Sequence, residues 1–204
     1  MSFTDKKDFM GGKEIQNIIK EFGHYIEAEK KIVIESKDRI ESLIMYGKTE
    51  VPLLKQALNS LGDTFENIDN AREEKIDQMQ EKFITPLNAL LEDLKSLQTE
   101  LKAKDHVFKD LEKAKSKLSK LENKSKEKLK AGQLDTAEKA VKEAEKMFKD
   151  EEAKANKMTE DFNSKKLELM KSVLVDIVKD EKEFHEKVLG LMSNVKEKID
   201  LLNL

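Results

Sequence analysis

The chain has 204 residues, 40% of them charged and 38% apolar, with 7 Gly, 2 Pro, no Trp and no Cys. So many charges with so few turn formers describe long helices and all but exclude an α/β enzyme, while the missing cysteines remove disulfides, thiolate metal sites and cysteine nucleophiles. Thirty-nine basic against 42 acidic residues leave a net charge of −3, so no global field draws the whole chain onto nucleic acid.

At the N-terminus, Lys6 and Lys7 are followed by no apolar stretch, so a secretory signal is not expected and a cytoplasmic chain is the default. Residues 1–12 read as a flexible segment ending in Gly11-Gly12; an amphipathic wedge built on Phe3 and Met10 is the alternative. From Lys13 onward, Ile15, Ile18, Ile19, Phe22, Tyr25 and Ile26 recur at i, i+3, i+4 spacing, which strand alternation cannot produce. This first helix is expected over about 13–61, with a kink or short break between Tyr46 and Pro52, because proline lacks a donor and restricts Val51. Gly62 then ends it, and Asp63 or Thr64 caps the next.

The second helix, about 64–130, carries Phe65, Ile68, Ile76, Met79, Phe83, Leu87, Leu90 and Leu94, and continues through Phe108 to Leu121. Pro86 sits inside an unbroken period and predicts a bend, not a terminus. Gly132 is the next stop signal, with Asp135 and Glu138 at capping-box distance for a third helix over about 134–203. At 1.5 Å per residue that helix would extend about 105 Å, and it cannot hide its own apolar stripe. The expected fold is all-α: three helices fold back as a long antiparallel coiled-coil bundle, and a second copy covers the surplus stripe. Ile18, Phe22 and Ile26, with Phe184, Val188 and Leu191, are the candidate dimer residues. The most apolar run, Val173 to Val178, is interrupted by Asp176 and is far short of a membrane span.

Little here supports catalysis, a metal or a cofactor. His24, His106 and His185 fall on three different helices, and Glu21-Phe22-Gly23-His24 is one E-x-x-H pair where a di-iron bundle needs two. Gly11-Gly12-Lys13 ends like a phosphate loop but lacks its first glycine and its hydroxyl. The expectation is no enzyme, no metal and no cofactor.

Charge distribution is more informative. Between Lys102 and Lys130 lie eleven lysines and five acids, a block of +6 in a chain whose remainder is −9. The candidate lipid-contacting residues are Lys102, Lys104, Lys113, Lys117, Lys120, Lys124, Lys126, Lys128 and Lys130, with Lys139 and Lys142 past the turn. Near an anionic leaflet each contributes about 1 kcal/mol, screened by salt. The competing readings are a solvated helix face and nucleic-acid binding; only Arg39 and Arg72 supply guanidinium forks, which disfavours the latter.

The pattern resembles a BAR domain over Ile15 to Leu202. The likeness is carried by Phe83-Ile84-Thr85-Pro86-Leu87, by Leu94-Lys95, by Val107-Phe108-Lys109-Asp110 and by Ala114-Lys115-Ser116-Lys117-Leu118. Phe108-Lys109 stands where many members have Tyr-Asp. A narrower element, Tyr46-Gly47-Lys48-Thr49-Glu50-Val51-Pro52-Leu53-Leu54-Lys55-Gln56-Ala57-Leu58, is similar to one in the Chibby-interacting BAR proteins. The resemblance implies a curved homodimer, peripherally bound to anionic membrane lipids, that senses and generates curvature in membrane trafficking such as endocytosis. The alternative is a helical scaffold without lipid binding.

Overall fold

A computed structural model describes residues 7–123 and 132–201, the side chains of residues 7–10 excepted. Among the described residues there are helices and turns and no strand. Helix α1 spans Lys7–Gly47, α2 spans Pro52–Met79, α3 spans Thr85–Glu122 and α4 spans Gln133–Asp200, with a π-helical turn, Gln80–Ile84, joining α2 to α3.

The first expected helix is in fact folded in half. Pro52 has no N–H to give, so it opens α2 at the first position, and Val51 before it is extended at φ −63°, ψ 152°. The turn is closed by the Lys48 N–H on the Ile44 carbonyl at 3.2 Å and by the Thr49 hydroxyl on the Tyr46 carbonyl at 2.8 Å. Gly62 does not stop a helix. It lies buried inside α2, where a Cβ would stand 3.6 Å from Ile44 and 3.7 Å from Ile40. Its small size serves the approach of α1, which is why the reversal falls at residues 48–51 instead. The first helix also begins earlier than expected: Gly11 and Gly12, read as part of a flexible segment, lie within α1, and residues 1–6 lie outside the described residues.

Pro86 interrupts nothing, and the π turn explains how. A proline ring clashes with the carbonyl four residues back, and a widened turn just upstream relieves that clash. The Thr85 N–H and hydroxyl both reach the Gln80 carbonyl, the latter at 2.9 Å. Phe83 and Ile84 of this turn are both buried. At the start of α4, Gly132 takes φ +76°, a conformation glycine tolerates, and the Thr136 hydroxyl donates to the Gly132 carbonyl at 2.8 Å. Asp135 therefore sits inside the first turn, where it complements the helix dipole, and is not the cap.

The chain divides into two compact units. Unit 1 comprises Met1–Leu91 and Leu169–Leu204. Its core joins Ile26 and Val33 of α1, Ile68, Ile76 and Met79 of α2, Phe83 and Ile84 of the π turn, Leu87 and Leu90 of α3, and Val173, Phe184 and Val195 of α4. Unit 2, Glu92–Glu168, buries Leu94, Leu97, Leu111 and Leu121 of α3 against Ala137, Val141 and Ala155 of α4. Each fully buried Leu contributes about 1.5–3 kcal/mol.

The contacts at Gly62 generate a prediction. A methyl group fits there at ordinary contact distance and a large ring does not. Gly62→Ala raises stability by about 0.5–1 kcal/mol through helix propensity, whereas Gly62→Phe lowers it by about 1–3 kcal/mol through overpacking. Denaturant melts of the two variants check both signs.

Candidate functional site

In unit 2 the distal part of α3 lies antiparallel to the start of α4. Phe108 and Phe148 meet at 5.4 Å between ring centroids, and Lys115 Nζ reaches Glu145 across the helices at 3.3 Å. That register brings Lys117 and Lys120 of α3 to the same end as Lys139 and Lys142 of α4. All four are exposed, as are Lys102 and Lys113, while Lys104 is half-buried. Lys113 pairs with Asp110 one turn back at 2.9 Å and holds that carboxyl below its usual range. Among the described residues, no carboxylate lies within 4.0 Å of Lys102, Lys104, Lys117, Lys120, Lys139 or Lys142. Lys124, Lys126, Lys128 and Lys130 lie outside the described residues. The arrangement leaves several ammonium groups free to meet an external anion.

Closer to the unit's other end, cations are engaged. Lys154 pairs with Glu100 at 2.7 Å, and Lys165 pairs with Asp93. The hydrogen bond to Lys154 lowers the Glu100 carboxyl, and hydrogen bonding to Glu100 raises that of Glu151.

Unit 1 holds a charged cluster that sequence reasoning missed. Glu29 of α1 pairs with Arg72 of α2 and, at 3.0 Å, with Lys75, whose side chain is 3% exposed. Lys75 also reaches Glu181 of α4 at 3.3 Å and the Tyr25 hydroxyl at 2.8 Å, and Tyr25 donates to Glu181 at 3.0 Å. The Phe184 ring lies 4.5 Å from the Lys75 ammonium and 5.0 Å from the Arg72 guanidinium. Nearby, Lys82 bonds the buried Asp180 at 3.0 Å. Burial pushes the Glu29 carboxyl up, but hydrogen bonds with Tyr25, Arg72 and Lys75 outweigh it and hold the group below the usual range. Burial, then hydrogen bonding to Glu29 and Glu181, raises the Tyr25 phenol. The cluster ties three helices together. Its cations and carboxylates pair with one another, although the buried Nε of Arg72 has no hydrogen-bond partner.

Of the six candidate dimer residues, two are buried within this unit and four are half-buried. Ile26 and Phe184 are buried at 3% and 8% exposure, Phe22 stacks on Phe83 at 4.2 Å, and Ile18, Val188 and Leu191 are half-buried. The apolar residues left exposed are others: Ile34, Met45, Tyr46, Val51, Leu174, Val175, Val178 and Leu189 among them.

The histidines do not converge. His24 lies 3.5 Å from Glu21, His106 3.4 Å from Asp110 and His185 3.6 Å from Glu181, each on its own helix. Among the described residues no group of three or more His, Cys, Asp or Glu side chains is placed to hold a metal, and no helix is long and apolar enough to cross a membrane.

A family model described as BAR domain matches residues 12–201. No curated protein matches the chain. Among solved structures, the amphiphysin BAR domain from Drosophila is similar at a TM-score of 0.76 and 14% identity, over 100% of this chain and 97% of that one. The N-terminal I-BAR domain of D. discoideum IBARa is similar at a TM-score of 0.58 and 18% identity, over 94% and 84%.

The charged cluster makes a testable demand. Removing Lys75 leaves Glu29 with Arg72 as its one remaining cation and takes a partner from Glu181 and the Tyr25 hydroxyl, so Lys75→Ala costs about 1–3 kcal/mol in a thermal or denaturant melt. Because the Glu29 pKa is depressed in the folded state, its contribution is present above the ordinary glutamate pKa and lost as pH falls through the lowered one. Melting temperature therefore drops below about pH 4.5 in the parent chain, and Glu29→Gln makes that acid limb shallower.

Proposed function

The chain belongs to the BAR domain family, and on that footing we propose that it is a homodimeric peripheral membrane protein that senses and generates curvature on anionic phospholipid. The family match, spanning residues 12–201, carries the reading. The lysines of unit 2 support its electrostatic half. Lys117, Lys120, Lys139 and Lys142 gather at one end of the α3–α4 pair, exposed and without ion-pair partners among the described residues.

The mechanism follows from where the charge is free. A lysine already paired gains little from a lipid phosphate, because the new contact replaces an old one. An unpaired, hydrated ammonium on a helix gains about 1 kcal/mol near an anionic surface, so a handful from each protomer of a dimer sums to reversible docking. The helices beneath supply stiffness, since buried side chains such as Leu94, Leu97, Leu111 and Leu121 give an interior that resists deformation. A stiff dimer with charge at fixed points binds best where the lipid surface matches its spacing, and at high density it imposes that form. The binding requires neither catalysis nor a cofactor.

Co-sedimentation with phosphatidylserine-containing vesicles tests the proposal. Binding is expected to fall steeply with added salt, as exposed charges are screened. Reversing Lys117, Lys120, Lys139 and Lys142 to Glu is expected to abolish sedimentation while helicity by circular dichroism and dimer mass by light scattering stay unchanged. Undiminished sedimentation of that folded variant would overturn the lysine assignment, and a parent chain that ignores anionic vesicles in dilute buffer would overturn the lipid reading.

A further inference from the structure

Unit 2 holds a smaller set of charged side chains whose pairing is incomplete. Glu100 of α3 and Glu151 of α4 meet across the helix pair with Lys154 beside them, its Nζ 2.7 Å from Glu100 Oε2 and 4.0 Å from Glu151 Oε1. The Glu100 side chain is 12% exposed and that of Glu151 26%. Glu100 Oε1 is buried and receives no hydrogen bond. At the same level Lys104 and Asp105 of α3 and Glu152 of α4 are half-buried, and among the described residues none of them lies within 4.0 Å of an opposite charge.

Two ionised carboxylates in contact have no proton between them, so they repel and Glu100 Oε1 stays unsatisfied, which is costly for a buried oxygen. One added proton removes both penalties. Placed on Glu151, it donates to Glu100 Oε1, while Lys154 goes on holding Glu100 in its ionised form through Oε2. The surroundings divide the roles in that sense. The hydrogen bond to Lys154 lowers the Glu100 carboxyl, contact with Glu100 raises that of Glu151, and the hydrogen bond to Glu100 raises the Lys154 ammonium.

We propose that Glu100 and Glu151 form a proton-operated clasp between α3 and α4: in weak acid one proton taken from solvent sits on Glu151, donates to Glu100 Oε1 and tightens the pair, and towards neutral pH it returns to solvent and the pair loosens. The clasp stands independently of the lipid reading. It bears on it all the same, because these two helices carry Lys117, Lys120, Lys139 and Lys142. The Glu151 carboxyl is raised in the folded chain, so its stabilisation is fully present below the ordinary glutamate pKa and is lost as pH rises through the raised one. That sign is opposite to the contribution of Glu29, which is lost on acidification.

Thermal melts of the full chain between about pH 4.5 and about pH 8 read the clasp, using Glu151→Gln and Glu151→Met, each first checked for parent helicity by circular dichroism. The Gln amide donates to Glu100 at any pH. The Met side chain has similar length and helix propensity and removes the same charge, but donates nothing. Glu151→Gln is expected to melt about 2 °C above the parent at about pH 8 and to approach it at about pH 4.5, where the parent carries its own proton. Glu151→Met is expected to melt below both at that lower pH. A Gln variant whose difference from the parent is the same at every pH, or a Met variant that matches the Gln variant throughout, overturns the clasp.

Discussion

A helix of 68 residues has more apolar surface than its neighbours can cover, and the organisation of this chain follows from how α4 divides that surface. Val173, Phe184 and Val195 turn inward and are buried, while Leu174, Val178 and Leu189 turn outward and stay exposed. Both sets recur at helical spacing, so α4 carries two stripes, one buried and one exposed. Burying the inward stripe holds unit 1 together. The outward stripe, left in water, is a standing cost that the burial of the inward one must outweigh.

The charged cluster around Lys75 does different work from the apolar core. Apolar contacts tolerate sliding, since one Leu fits much the same hole as another a turn away. A buried Lys75 that must meet Glu29, Glu181 and Tyr25 together has one acceptable position, and any slip of α1 or α4 leaves charge stranded. In a bundle of long and repetitive helices, such a point selects one register among several of similar packing energy. Phe184, stacked under both cations, couples that choice to the core.

Much of this was legible in the residues. The helical period, the passage through Pro86 and the break before Pro52 each depend on local chemistry, and each stands in the structure. What local chemistry cannot supply is the neighbour. Gly62 looks like a stop until Ile40 and Ile44 are seen against it, and Phe184, Val188 and Leu191 have the same spacing as the outward stripe of α4, so period alone does not say which stripe faces in. Lys75, Glu29 and Asp180 give no signal of burial in the sequence for a related reason: a charged side chain signals water unless its partners on other helices are known. Of the candidate lysines, the four within 124–130 lie outside the described residues, while Lys117, Lys120, Lys139 and Lys142 could be followed from sequence to exposed position.

The wide turn at Gln80–Ile84 also keeps the long rod in phase. Met79, Phe83 and Leu87 follow one another at intervals of four, and each such step overshoots a regular helical turn by about 40°, so an unrelieved run would wind the buried face around to solvent. The extra residue in the turn absorbs the drift. Because the turn widens to hold that residue, losing one there would restore an ordinary helix and leave Leu87 and Leu90 on the buried face. The segment therefore absorbs a change in length that the regular helix on either side does not, since there a single deletion turns every following side chain by about 100°.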